Sequence, residues 1–151
     1  MANTDRDTLR HYLAVLAYRT QKAVRDAPSG YLDFQAGHGV RSPREVLDHM
    51  TQLMAFAAKQ LTGSAQQLNE QDPVERFHEA LGQLSTVLQH VEMNSDTMLR
   101  LLQGPLADAM THVGQLAMLR RMAESPIVRE SFYEANIRAD NTSASQPLED
   151  D

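Results

Sequence analysis

Four stretches of this chain carry apolar residues three and four positions apart, and nowhere does a two-residue alternation persist. Only an α-helix places residues so spaced on one face, so the pattern predicts an all-α fold. In the first stretch, from Thr8 to about Asp26, Leu9, Leu13, Leu16, Thr20 and Ala23 or Val24 share a face, with Tyr12 beside them, before Pro28 and Gly30 end the helix. The second opens at Ser42-Pro43-Arg44-Glu45, where Ser can cap, Pro suits the first helical position and Glu can close a capping box. Its inward stripe reads Val46, His49 or Met50, Leu53, Phe56 and Leu61, up to Gly63. The third, after Asp72-Pro73, has the most regular repeat: Val74, Phe77, Leu81, Leu84, Leu88, Val91. A break at Asn94-Ser95 and a short helical turn from Asp96 to Gln103 precede the last long helix. That helix starts at Gly104-Pro105, runs to about Ala123 through Leu106, Met110, Val113, Leu116, Leu119 and Met122, and ends at Ser125-Pro126.

Four helices with short connections imply a bundle of mostly antiparallel neighbours. With 151 residues, 42% of them hydrophobic, the chain can bury one core, so a single domain is expected over residues 1–139. Phe132, Tyr133 and Ala135 supply a short C-terminal helical segment within 127–137, and 140–151 reads as a disordered acidic tail. The loop from Ala27 to Arg41 holds Tyr31 and Phe34 and is expected to pack over something.

A formal charge of -6, with no basic stripe to follow a phosphate backbone, argues against nucleic acid as a partner. With 0 cysteines, disulfides and thiolate sites are ruled out, so a metal would be held by nitrogen and oxygen. Met1 to Arg10 carries charges where a signal peptide needs an apolar core, and no apolar run approaches the roughly 18 residues of a membrane span. A cytoplasmic location is expected.

Of the 6 histidines, His11, His38, His78 and His90 read as surface residues. His49 and His112 instead sit among core positions, where an imidazole needs partners for both ring nitrogens. Asp108 lies one helical turn before His112, so the two can chelate one ion, and His49 completes a set of two imidazoles and one carboxylate. Three protein ligands leave coordination positions open, as a catalytic centre requires. Glu45 is a candidate acceptor for His49 as well as a cap, while Asp108 also suits a helix N-terminus through the dipole. A ferritin-like di-iron site is excluded, because Glu75-Arg76-Phe77-His78 supplies only one of the two Glu-x-x-His pairs it needs. Arg120 and Arg121 read as solvated charges at a helix C-terminus.

The segment from Ser42 to Met50, followed by Asp108-Ala109-Met110-Thr111-His112-Val113-Gly114-Gln115-Leu116 and on to Arg121, resembles the DinB superfamily of damage-inducible four-helix proteins. Ser125-Pro126-Ile127, with Phe132 and Ala135, is similar to one branch of it. The resemblance implies a metal site of three histidines, one on the second helix and two on the fourth. His49 and His112 match, and Asp108 stands where the other histidine is common. It further implies a homodimer and S-transfer, isomerisation or hydrolysis, in some members with a low-molecular-weight thiol such as bacillithiol or mycothiol. With Asp108 in the set, zinc, nickel, iron and manganese all stay open as the divalent ion. Tyr31, Phe34, His38, Phe132 and Tyr133 are candidates for the pocket mouth. Two readings follow: a metal-dependent enzyme, or a non-catalytic dimeric bundle protein of the stress response. A solvent-open pocket beside the three residues favours the first.

Overall fold

The computed structural model describes residues 3–148. Among them there is no strand, and the helices are α1 (Asn3–Val24), α2 (Pro43–Thr62), α3 (Pro73–His90), α4 (Ser95–Leu101) and α5 (Ala107–Met122), with a 3-10 turn at Tyr31–Asp33. The starts of α2 and α3 follow from local hydrogen bonding. Ser42 Oγ accepts from the Glu45 N–H while Glu45 Oε1 accepts from the Ser42 N–H, and Asp72 Oδ1 accepts from the N–H groups of Val74 and Glu75. Gly63, at φ 76°, closes α2 in the left-handed conformation that glycine adopts without strain.

α4 and α5 are joined by one wide π turn, Leu102–Leu106, so the chain from Ser95 to Met122 is a single helical rod. The expected new start at Gly104-Pro105 does not occur. Pro105 cannot donate a backbone hydrogen bond and its ring crowds the preceding turn. The helix widens, with the Ala107 N–H reaching back to the Leu102 carbonyl, and continues past the proline.

The four rods close into a ring in which α1 packs on α3 and α5, and α2 packs on the same two. Leu13, Leu16, Leu47, Met50, Met54, Phe77, Leu81 and Leu116 fill the centre with no exposure. Truncating one such leucine to alanine costs about 2–5 kcal/mol. On α2 the buried stripe is Val46, Leu47, Met50, Met54, Ala57 and Ala58, which turns Phe56 outward from the expected face and leaves it 53% exposed. No helix among the described residues is long and apolar enough to cross a membrane.

The C-terminal segment departs from expectation. Within 127–137 no helix forms; a single turn is closed by the Glu134 N–H to the Ser131 carbonyl. Side chains of α1 hold it instead: Tyr18 Oη donates to Glu130 at 2.8 Å, Lys22 pairs with Glu130 at 3.2 Å, and the Arg19 guanidinium lies 4.0 Å over the Phe132 ring. Residues 140–148, expected as disordered tail, also lie along the bundle. Gln21 donates to the Gln146 carbonyl and accepts from the Gln146 N–H, and His78 Nδ1 donates to the Thr142 carbonyl. The backbone of Gln146 and the Thr142 carbonyl are satisfied by long-range side-chain partners, which an isolated polar segment lacks, while Asn141, Ser143 and Ser145 donate to local acceptors. The remainder of that expected tail, 149–151, lies outside the described residues.

Candidate metal centre

α2 and α5 meet where His49 faces Asp108 and His112. α2 carries His49 one turn before Leu53, at the edge of its buried stripe, and its side chain is 28% exposed. α5 carries Asp108 and His112 on one face, four residues apart, with side chains 48% and 9% exposed. His49 Nε2 lies 3.6 Å from Asp108 Oδ2, and His112 Nε2 lies 3.4 Å from Asp108 Oδ1. The two imidazoles stand perpendicular with centroids 4.8 Å apart.

Tautomer decides what these contacts mean. His112 Nδ1 is 2.7 Å from Gln115 Oε1, an oxygen that only accepts, so Nδ1 carries the hydrogen and Nε2 presents a lone pair. That lone pair faces carboxylate oxygens, and two acceptors at such a distance call for a cation or a proton between them. Two ligand atoms about 2.1 Å from a tetrahedral ion stand roughly 3.4 Å apart. Asp108 keeps nearly that spacing to each histidine through a different oxygen, Oδ2 to His49 and Oδ1 to His112, and one donor atom from each of the three residues lies within 4.8 Å of the others. The group can hold a metal ion. The donor set, two nitrogens and one carboxylate, suits a divalent transition metal rather than calcium or a thiophilic ion. Glu45, an alternative partner for His49, is committed to the Ser42 cap.

Beside the cluster, an open groove of about 620 Å³ runs between α2 and the α4–α5 rod, lined by Leu53, Phe56, Gln103, Gly104, Pro105, Ala107, Asp108 and Thr111. Asp108 belongs to both the cluster and the groove. None of the five residues expected at a pocket mouth lines it. Tyr31 is buried farther along α5, its hydroxyl donating to the Leu116 carbonyl at 2.7 Å, and burial raises its pKa well above the ordinary tyrosine value. Phe34 faces a different cleft with Met122 and Ala123, and His38 is exposed at φ 56°. Phe132 packs on Tyr18 and Arg19, and Tyr133 is in solvent. Leu53 and Phe56 carry a periodic signal, but it places them on the inward face of α2, and the groove they line follows only from the rotation of that stripe and the π turn at Pro105.

Two polar residues expected in solvent are buried. Arg120 donates to the carbonyls of Ala23, Arg25 and Ser125 at 2.9–3.0 Å, tying the end of α1 to the end of α5, with Tyr31 at 5.6 Å. His78 lies beneath the C-terminal segment, and burial pushes its pKa down to about 4.

No family model, curated protein or solved structure matches the chain. What the fold and the site define is an all-helical protein with a His49–Asp108–His112 cluster that can hold a metal ion.

Proposed function

We propose that this chain is a metal-dependent enzyme of the DinB kind, holding a divalent transition metal on His49, Asp108 and His112 and acting on a small molecule. The observation that carries this reading is the convergence of His49 Nε2, the Asp108 carboxylate and His112 Nε2 at one end of an open groove. A structural ion is normally enclosed by four protein ligands; three ligands beside open space leave room for a reactant. When bound, the ion supplies Lewis acidity, lowering the pKa of a water or a low-molecular-weight thiol so that a nucleophile exists near neutral pH. The protein's own part is to set the donors. Gln115 holds His112 in the tautomer that offers Nε2, Asp108 bridges towards both imidazoles, and the apolar groove wall orients the reactant. Zinc, nickel, iron and manganese all suit this donor set.

The test is elemental analysis of protein purified without tag or chelator. Wild type is expected to carry about one equivalent of a single transition metal, with loss in His49→Ala and His112→Ala while helix content by circular dichroism stays near wild type. A wild type that stays metal-free after incubation with all four ions overturns the reading.

We also propose a homodimer. Met118 and Met122, 59% and 47% exposed one turn apart on α5, offer an adaptable apolar contact. Sedimentation of wild type and Met118→Glu checks it: a wild-type monomer, or a dimer unaffected by the glutamate, rejects this surface.

A further inference from the structure

We infer that the groove between α2 and the α4–α5 rod is the substrate site, built for an elongated, uncharged, largely apolar chain whose polar head sits at the His49–Asp108–His112 cluster. The inference rests on the metal-dependent reading above and specifies its substrate class.

The register of the two helices sets the length. His49 faces Asp108 and His112, while Leu53 and Phe56, farther along α2, line the groove with residues earlier in the other rod, from Gln103 to Ala107. The helices therefore run antiparallel here, and the groove leads away from the cluster. From His49 to Phe56 is seven residues, about 10 Å of helix. Its volume of about 620 Å³ is that of a site for a small organic molecule rather than for a peptide chain or a lone water.

The walls set the chemistry. Leu53, Phe56, Pro105 and Ala107 are apolar, Gln103 and Thr111 are neutral, and Asp108 at the cluster end is the one ionisable group in the lining. The Thr111 hydroxyl is already engaged with the Asp108 carbonyl. Lys59 and Arg100 lie a turn beyond Phe56 and Gln103 and are not part of the lining, and Arg100 is paired with Asp96 at 2.8 Å. A carboxylate or phosphate held against Leu53, Phe56 and Pro105 would give up part of its hydration to apolar walls and find no cation in the lining. An aliphatic or aryl chain would cover Phe56, a large apolar ring otherwise left in water. The π turn contributes by shape: an ordinary helical turn at Pro105 would place Asp108 and the Gln103–Gly104 wall in a different register on the rod.

The experiment titrates metal-loaded protein with three hydroxamic acids by calorimetry. Acetohydroxamic acid presents the chelating head alone, heptanohydroxamic acid adds an apolar tail, and a third probe of the same length ends that tail in a carboxylate. The heptanoyl probe is expected to bind at least about tenfold tighter than acetohydroxamic acid. The carboxylate should forfeit most of that gain. Phe56→Ala should weaken the heptanoyl probe severalfold and leave acetohydroxamic acid unchanged, a control that also shows the variant is folded and loaded. Equal binding of all three probes, or a tail gain indifferent to Phe56, overturns the groove while the metal reading stands. Protein that takes up no metal before the titration overturns the metal reading and the inference with it, whereas loaded protein that binds none of the three probes has no open coordination position and overturns the inference alone. Sedimentation of both proteins completes the test: a dimer that Phe56→Ala splits assigns the groove to a second copy of the chain and overturns the inference.

Discussion

Gln115 Oε1 lies 2.7 Å from His112 Nδ1, one turn along the same helix, and this contact determines which imidazole nitrogen is offered to the cluster. Replacing Gln115 with Leu removes the acceptor and frees the ring to rotate or to shift its proton to Nε2, where it would block ligation. Metal affinity is expected to fall about 10–100-fold, measured by competition with a chromogenic chelator. Gln115→Glu supplies a stronger acceptor at the same place and should bind at least as tightly as wild type. Equal affinity in wild type and Gln115→Leu would remove the tautomer argument.

Asp108 makes the cluster harder and more anionic than one of three imidazoles. Asp108→His should keep a metal while moving preference from manganese towards zinc and nickel, because nitrogen donors favour the later ions of the series. Asp108→Asn, which has no charge, should lose affinity at least about tenfold. Metal content after incubation with an equimolar mixture of the four ions reads both effects. Unchanged preference in Asp108→His would mean that residue 108 is not a ligand.

What the sequence discloses depends on the range of the interaction involved. The starts of α2 and α3 are legible because Ser42 with Glu45, and Asp72 with Val74 and Glu75, bond within one turn. The Asp108 and His112 pair is legible for the same reason, since four-residue spacing on a helix puts both on one face. His49 could be placed only by its nearness to the α2 stripe, and that stripe is rotated from expectation, with Met54 and Ala57 inward and Phe56 outward. The C-terminal segment is illegible on local rules. Glu130 reaches Tyr18 across 112 positions and Gln146 reaches Gln21 across 125, through polar contacts that leave no periodic trace. Arg120 and His78 follow the same rule: residue type alone places both in solvent, and both are buried by chain segments remote in sequence.

Arg120 closes one end of the bundle. It is 5% exposed and bonds the last carbonyls near α1 and the Ser125 carbonyl, so removing it leaves several acceptors without donors. Arg120→Met keeps much of the side-chain volume and should still cost about 3 kcal/mol in urea unfolding, since buried acceptors lose a charged donor. Arg121, exposed beside it, should tolerate the same change to within about 0.5 kcal/mol. Similar losses at the two positions would contradict the burial assigned to Arg120.

His78 makes stability depend on mildly acidic pH. Its Nδ1–H donates to the Thr142 carbonyl, and Nε2 is buried without a partner, so the native state resists the second proton and its pKa falls to about 4 from 6.5. The unfolded chain takes up that proton more readily, so between these values it binds more protons than the folded one. The contribution of His78 is therefore complete above about pH 6.5 and is lost as pH falls towards 4, by up to about 3 kcal/mol. His78→Gln, which cannot titrate, should be less stable than wild type at pH 7.5 by the weakened packing. It should lose less stability than wild type on going to pH 4.5. Carboxylates titrate in both proteins, so the difference between the two pH dependences isolates the histidine. Parallel urea midpoints for the two proteins across that range would show that the segment over His78 opens before the imidazole titrates.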